Sequence, residues 1–431
     1  MPQRLLSVFD LTEDQAIDLL KTPPEQLEDP ADRYIAASQL AKYESDRSIQ
    51  ALITAIDLPV TDLNSRIVRR KSVETLGYLN ATISIPILQR CLQDEDLYTV
   101  QNAVWSIGEI GTQDASILDA IVQLLDQPTQ NHRLIIQTLA KLGYRPAATT
   151  LHSFTQAEDP TVASAAIAAI YQLTGDTSRL HQLVDLLQHE SVNVRRSCIQ
   201  DLIDVQQYDA ISQIARCPVS MVFRLRGVRL LAEVGMPAQA IAFRQIEPIL
   251  DQIIRDHPDD LELVHEYDQT PSLEFLLNEL YETDFARCYL ATKTLLEVYP
   301  QSAPVALIQE YNQKARGDYG AHYHVIKLFG WLRYAPAYEL LVEALHNPTP
   351  QFQKSRTAAA IALGHLGDSR AVPALKSGLT SPIWSLSYAC LMALQALHES
   401  IHETTLEAAT LKTMDFLVQA KWSQATVGKG I

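Results

Sequence analysis

The composition and charge of the chain limit what it can be. It has 431 residues, 47% of them hydrophobic, and its 35 Lys and Arg against 51 Asp and Glu give a formal net charge of −16. Such an acidic chain is not expected to bind nucleic acid or anionic membranes in general, and the sequence holds no run of 18 apolar residues that would cross a membrane.

The five cysteines stand singly, without a Cys-x-x-Cys pair. This spacing supports neither a disulfide framework nor a zinc site, and no metal is expected. The first residues also lack the basic, apolar and small-residue order of an export signal. We therefore expect a cytoplasmic location.

A spacing of about 31 residues organises the chain, starting after an N-terminal cap predicted over residues 1–30. Tyr43 serves as the first anchor of the repeat, and each later repeat ends on an apolar anchor. The anchors are Leu79, Ile110, Leu142, Leu173, Val205, Val234, Val298, Leu332, Leu366 and Leu397. Further apolar residues three and six positions before the anchors mark one face of a helix.

A unit of this length has room for two short helices, and neither buries its apolar face alone, so the units must stack. The predicted fold is all-α, an α-solenoid of about ten to twelve short HEAT-like (armadillo-like) helical-pair repeats. The sequence lacks the repeated motifs of ankyrin and tetratricopeptide arrays. Small residues seven and two positions before many anchors predict close approach of neighbouring helices.

The repeat register divides the chain further. A first HEAT-like array is predicted over residues 31–235, an irregular repeat or bend over 236–270, and a second array over 271–400. Pro248, Pro258 and Pro271 mark the irregular part. A C-terminal helix and frayed tail are predicted over 401–431.

Positions eight, five and one before each anchor form a stripe that is expected to face solvent on the second helix of a unit. Two stripes carry tryptophan: one holds Asn102, Trp105 and Glu109, and the other holds His324, Lys327 and Trp331. An exposed indole between hydrogen-bonding groups suits a flat, conjugated ligand. The alternative is an indole that fills a gap between units.

The segment 317–334 is dense in glycine, aromatic and charged residues. Asp318 precedes a predicted helix, where it serves either as a helix cap or as a functional acid. His322 and His324 are two positions apart and point in different directions on a helix, so they do not predict a metal site. No nucleophile elbow, phosphate loop or zinc-protease motif occurs in the sequence.

Two segments resemble a known family. Residues 98–110 (YTVQNAVWSIGEI) look like the repeat of the E/F-type phycobilin lyases of cyanobacteria, and residues 318–334, with the run FGWLR, resemble the longer Y-type lyases and their lyase-isomerase relatives. The resemblance spans most of the chain. It implies attachment of free phycoerythrobilin through a thioether to a cysteine of a phycoerythrin subunit, with the α subunit expected.

The same resemblance implies that the bilin is the substrate and that no other cofactor is needed. Under this hypothesis Asp318 binds the pyrrole nitrogens, and Tyr319 or His324 transfers protons. The bilin-binding side chains would be Trp105, Asn102, Glu109, Tyr323, Lys327, Trp331 and Arg333. Lys327 and Arg333 would pair with the propionates, and the aromatic rings would stack on the tetrapyrrole.

Several alternatives stay open at this point. The enzyme either only ligates or also isomerises phycoerythrobilin to phycourobilin during attachment, and it acts alone or with a second lyase chain. A HEAT-repeat adaptor without enzymatic activity, and a bilin carrier or chaperone, are the competing function classes.

Overall fold

The computed structural model describes residues 11–399 and 408–427. Within these residues it contains α-helices, short 3-10 helices and no β-strand, which confirms the predicted all-α class. The chain forms two compact units, which divide between Leu180 and His181. Each unit is described by itself below.

The α-helices of the first unit are α1 Glu13–Lys21, α2 Asp32–Gln39, α3 Asp46–Asp57, α4 Leu63–Tyr78, α5 Ile85–Cys91, α6 Leu97–Ile110, α7 Ala115–Gln123, α8 His132–Lys141, α9 Ala148–Phe154 and α10 Pro160–Thr174. Helix α11, Leu180–Asp185, spans the division between the units.

The α-helices of the second unit continue with α12 Val192–Asp204, α13 Ile211–Arg216, α14 Met221–Gly235, α15 Phe243–Arg255, α16 Leu273–Glu279, α17 Phe285–Val298, α18 Ala303–Gln313, α19 Tyr319–Trp331, α20 Tyr338–His346, α21 Gln353–Leu366, α22 Val372–Gly378, α23 Trp384–Ala396, α24 Ala408–Thr413 and α25 Phe416–Val427.

The apolar anchors mark the ends of the second helices. From Leu79 to Leu397, each of the ten later anchors lies within one residue of a helix C-terminus. The apolar residues three positions earlier, such as Leu76, Phe329 and Leu394, are fully buried. The 31-residue spacing therefore predicted the helix register correctly.

Short polar side chains start many of these helices. Asp62, Asp96 and Asp159 each accept a hydrogen bond from a backbone N–H in the first turn of α4, α6 and α10. Such caps satisfy N–H groups that have no partner inside the helix. These three helices thereby begin at a defined residue.

Small residues let successive second helices approach closely. Helix α19 packs on α21, and α21 packs on α23. A Cβ atom added at Gly330 would lie 2.6 Å from the Ala362 Cα, and one added at Gly364 would lie 3.0 Å from the Ala393 Cα. Here the neighbouring backbone itself occupies the space of a side chain.

We expect Gly330→Ala to lower the free energy of unfolding by about 2 kcal/mol, because α19 and α21 must separate, and overpacking of this kind typically costs about 1–3 kcal/mol. This value is a net loss, because the higher helix propensity of alanine offsets about 1 kcal/mol of the cost of overpacking. Gly317→Ala is the matched control, since its Cβ would meet open space. Urea unfolding of both variants checks the prediction, and equal midpoints would contradict it.

The predicted irregular segment 236–270 contains α15, which packs against α14, α21, α23 and α25. Asp256, the residue after α15, adopts a left-handed conformation with φ 52° and turns the chain. Whether the segment joins two arrays stays a prediction. The predicted cap and tail extend beyond the described residues at 1–10, 400–407 and 428–431.

Among the described helices, none has both the length and the apolar character needed to span a lipid bilayer.

Candidate functional site

Helix α19 carries five of the ten site residues predicted from the sequence, and it is buried from Ala321 to Gly330. It packs between α17 and α21 and against α18, and its Tyr323 and Lys327 side chains bond to Asp256, the residue after α15. The expectation of a solvent-facing stripe is therefore wrong for His324 and Lys327. Tyr323, expected to stack on a bilin, is also fully buried.

A buried charged cluster joins α14, α15, α17 and α19. Its members share the carboxylate of Asp256 and are Arg224, Asp256, Tyr289, Tyr323 and Lys327. Lys327 Nζ donates to Asp256 Oδ2 at 2.5 Å, and the Tyr289 hydroxyl lies 3.0 Å from both carboxylate oxygens. Arg224 and the Tyr323 hydroxyl also donate to this carboxylate.

Burial and charge act in opposite directions on this cluster. Burial by itself would raise the pKa of Asp256, but the Lys327 and Arg224 charges outweigh it and hold the pKa below its ordinary value. Burial lowers the pKa of Lys327 to about 8, even though Asp256 opposes the shift. Burial also raises the pKa of Tyr289 and Tyr323 well above 10, so both keep their protons.

His324 lies beside the cluster, among the rings of Phe285, Tyr289 and Tyr323 at centroid distances of 4.9, 5.5 and 5.2 Å. Among the residues that the structure describes, neither ring nitrogen of His324 finds a hydrogen-bond partner. Burial lowers the pKa of His324 well below 6.5, so the ring is neutral at physiological pH. A proton-transfer role for His324 stays a prediction that this burial does not favour.

Asp318 and Tyr319 lie at the start of α19. Asp318 is half-buried, and its Oδ1 accepts hydrogen bonds of 2.8 Å from the N–H groups of Gly320 and Ala321. The capping role considered for Asp318 is therefore present, and it occupies one carboxylate oxygen. Tyr319 is 57% exposed.

Trp331 and Arg333 lie at the opposite end of α19. Twelve helical steps separate Tyr319 from Trp331, which is about 18 Å along the axis. Trp331 is half-buried between Lys327 Nζ, 4.8 Å from its centroid, and His257 at 5.0 Å. The structure does not bring this pair together with Asp318 and Tyr319.

The remaining predicted residues lie on α6 in the first unit. Trp105 is half-buried against Tyr78, with ring centroids 4.8 Å apart. Asn102 Nδ2 donates to the Arg70 carbonyl at 2.9 Å, and Glu109 forms an exposed ion pair with Lys141. All three connect neighbouring repeats, and their binding role stays a prediction.

An open cleft of about 670 Å³ in the second unit has the character of a ligand site. It lies between α14, the start of α21 and the start of α23, and combines apolar, cationic and aromatic side chains. The lining residues are Met221, Val222, Leu225, Arg226, Arg229, Leu230, Gln353, Lys354, Pro382, Ile383, Trp384 and Ser385.

Two cations of the cleft have no acidic partner within the part of the chain that the structure describes. Arg226 donates only to the Gln200 amide oxygen, at 2.6 Å. The Lys354 ammonium lies over the Phe285, Tyr319 and Tyr323 rings, at 4.2, 5.0 and 5.1 Å from their centroids. The cleft therefore offers uncompensated positive charge beside apolar surface.

The cleft was not predicted from the sequence, although the sequence contains a signal for it. Val222, Phe285, Tyr319, Lys354 and Trp384 stand 12 or 13 positions before successive anchors, at or near the N-termini of their helices. The predicted solvent-facing stripe begins eight residues before each anchor. Lys354 and Trp384 lie about one helical turn further towards the N-terminus of their helices.

Comparison with known proteins supports the repeat reading. The family model for HEAT repeats matches residues 58–129 and 118–203, and the model for the PBS lyase HEAT-like repeat matches residues 355–381.

Sequence relatives extend the match over most of the chain. The uncharacterized phycocyanin operon protein Y of Pseudanabaena tenuis is 56% identical over 92% of this chain and 94% of its own length. The bilin biosynthesis protein CpeY of a Synechococcus species is 33% identical over 87% of this chain and 91% of its own length.

A solved complex of CpcE and CpcF of phycocyanin lyase from a Nostoc species contains a chain that is 27% identical to this one. The match covers 57% of this chain and 94% of that chain, with a TM-score of 0.47. The family assignment depends on the sequence relatives, which match nearly end to end. The chain therefore belongs to the HEAT-repeat bilin lyase family.

Proposed function

We propose that this protein attaches phycoerythrobilin through a thioether to a cysteine of a phycoerythrin subunit, with the α subunit as the expected acceptor. We also propose that the cleft holds the bilin. The observation that carries the proposal is the combination of about 670 Å³ of open volume, an apolar wall and two cations, Arg226 and Lys354, for which the described residues supply no acidic partner. Family membership supplies the chemistry, and no additional cofactor is proposed.

The cleft matches an open-chain tetrapyrrole group by group. Arg226 and Arg229 are three positions apart on α14, so they lie one turn apart on the same face and suit two propionates. Leu225, Leu230 and Ile383 provide apolar surface, and Trp384 provides an indole against which a conjugated ring system packs. Arg229 also pairs with Asp415 at 2.9 Å and with Glu233 at 3.1 Å, which hold it in position, so a propionate at Arg229 would share it with these carboxylates.

The nucleophile is proposed to come from the acceptor subunit. All five cysteines of this chain are buried. Burial raises the pKa of Cys91 to about 11 and that of Cys217, Cys288 and Cys390 to about 12, so these thiols are protonated at neutral pH. A lyase that activates the bilin for a thiol of its partner accounts for this arrangement.

Coexpression tests the proposal. The full chain is produced with phycoerythrobilin and an apo-phycoerythrin α subunit, and the mass and absorbance of the tryptic chromopeptides are recorded. We expect one bilin mass on the acceptor cysteine, and none when that cysteine is replaced by serine. Parallel runs with apo-phycocyanin subunits and with a second lyase chain show whether the assigned acceptor is right and whether the chain acts alone.

The same spectra separate the competing functions. A chromopeptide that carries phycourobilin would show that the protein isomerises the bilin during attachment and does not only ligate it. Bilin that binds the purified chain without reaching the subunit would indicate a carrier or chaperone. An unchanged bilin spectrum after mixing with the purified chain, together with an unmodified subunit, would contradict the proposed site and leave the adaptor function.

Asp318 permits a test that separates capping from chemistry. Asp318→Ala is expected to lower the free energy of unfolding by about 1 kcal/mol, because the α19 cap is lost, whereas Asp318→Asn retains a capping oxygen. If Asp318 also binds the pyrrole nitrogens, Asp318→Asn lowers attachment at unchanged stability. Normal attachment by Asp318→Asn would leave Asp318 as a cap alone.

A further inference from the structure

Lys354 occupies an unusual position in the cleft. It is half-buried at the second residue of α21, where one side borders the open volume and the ammonium contacts three aromatic rings. Among the residues that the structure describes, no carboxylate forms an ion pair with it. A partly desolvated ammonium without a counter-ion does not favour folding, because burial of an unpaired charge costs free energy.

The aromatic surroundings of Lys354 are held in place by the buried charged cluster. The Tyr323 hydroxyl donates to Asp256, which fixes that ring, and Phe285 stacks on Tyr323 at a centroid distance of 6.3 Å. Tyr319 completes the set from the exposed start of α19. Ring faces attract a cation without removing its proton. This environment positions a charged amine on a side chain that lines the cleft.

We propose that Lys354 is the catalytic acid of bilin attachment and protonates the bilin as the acceptor thiol adds. This inference rests on the proposed function, and it goes beyond it by assigning the proton donor to a residue outside the two segments that carry the family resemblance.

The step balances without an oxidant or a reductant. A carbon–sulfur bond forms at the ethylidene carbon of ring A, and the π-electron pair of the exocyclic double bond moves to the adjacent ring carbon. That carbon takes a proton from the Lys354 ammonium, and the proton released by the acceptor thiol returns to the Lys354 amine. The sum is addition of S–H across one double bond.

Several titratable groups surround Lys354. The titratable groups that act on it from the packed helices are Cys288 on α17, Asp256 after α15, and Asp318, His322, His324 and Lys327 at α19. Arg226 and Arg229 of α14 line the same cleft, and α23 contributes only Trp384 and Ser385.

Proton affinity agrees with this geometry. Burial lowers the pKa of Lys354 to about 8, so the amine is charged at neutral pH yet releases a proton readily. His324 is neutral and buried, and Tyr323 is committed to Asp256. A donor must be protonated before it acts, so the attachment rate should fall as pH rises through the pKa of Lys354.

Lys354→Arg and Lys354→Met test the assignment in the full chain, with free phycoerythrobilin and the apo-subunit as probes. Arginine keeps the positive charge but does not release a proton at these pH values. We expect Lys354→Arg to bind bilin with an unchanged absorbance spectrum and to attach it about 100-fold more slowly. The residual attachment rate of Lys354→Arg should not fall near pH 8, whereas the attachment rate of the unaltered protein should.

Lys354→Met should lose attachment to a similar extent while its urea midpoint stays equal or rises, because the methionine packs on Phe285 and Tyr323 without a buried charge. Attachment by Lys354→Arg at the normal rate, with the same decline at alkaline pH, would overturn the proposal. Loss of bilin binding in Lys354→Arg would also overturn it, since Lys354 would then be a binding residue. If the unaltered protein neither binds nor attaches bilin, the proposed function itself fails.

Discussion

Asp256→Asn is expected to lower the free energy of unfolding of the second unit by about 3–5 kcal/mol, because it leaves two buried cations without their shared anion. Arg224 and Lys327 are both nearly inaccessible to solvent. The Tyr289 and Tyr323 hydroxyls also donate to the same carboxylate. Urea unfolding followed by circular dichroism measures the loss.

A matched control separates this buried anion from an ordinary ion pair. Glu343 pairs with Arg316 at the surface, with exposed side-chain fractions of 56% and 63%. Glu343→Gln should change the free energy of unfolding by less than about 1 kcal/mol. If Asp256→Asn behaved like Glu343→Gln, the cluster would not hold α15 against α14, α17 and α19.

A second variant identifies the cause of the loss. Lys327→Met in the Asp256→Asn background removes one of the unpaired cations and should recover part of the lost stability, because apolar replacement of a broken buried pair is often tolerated. A further decrease in stability would show that hydrogen bonds, and not unpaired charge, dominate the cluster.

Acid should weaken the cluster in a defined direction. The pKa of Asp256 in the folded protein lies below its ordinary value of 3.8. The unfolded chain therefore binds more protons at low pH, and the contribution of Asp256 is complete above about pH 4 and lost as pH falls through the folded pKa. Asp256→Asn should remove this part of the acid sensitivity.

Arg226→Gln is expected to weaken bilin binding by about 10- to 100-fold. One charge-assisted hydrogen bond to a propionate is typically worth about 1.5–3 kcal/mol, and each 1.4 kcal/mol corresponds to tenfold in affinity. No carboxylate among the described residues pairs with Arg226. Removal of its charge should therefore change the free energy of unfolding little. Titration of free phycoerythrobilin against the purified variant, followed by visible absorbance, gives the dissociation constant.

Arg370→Gln is the control for Arg226→Gln. Arg370 is 66% exposed, pairs with Asp368 and lies outside the cleft, so we expect its removal to leave bilin binding unchanged. If both variants bind bilin as tightly as the unaltered protein, Arg226 is excluded from the binding site. If both variants lose the same affinity, the loss reflects a general effect of net charge.

The sequence by itself determined the repeat. Apolar residues at helical spacing predicted the C-termini of ten second helices to within one residue, and the glycines two positions before the anchors predicted where helices touch. These features depend on contacts between neighbouring repeats, and neighbouring repeats are neighbours in the chain. A periodic pattern therefore records them.

Only the tertiary structure decided which faces are exposed. Asp256 lies 71 residues before Lys327, in the segment without repeat register, yet it pairs with Lys327 and covers α19. A contact at this separation leaves no periodic trace in the sequence, so the stripe of α19 that holds His324 and Lys327 was expected to face solvent. The cleft was missed for the same reason, because it forms where the starts of α14, α21 and α23 meet in space, and the repeat pattern describes helix faces but not where helix ends converge.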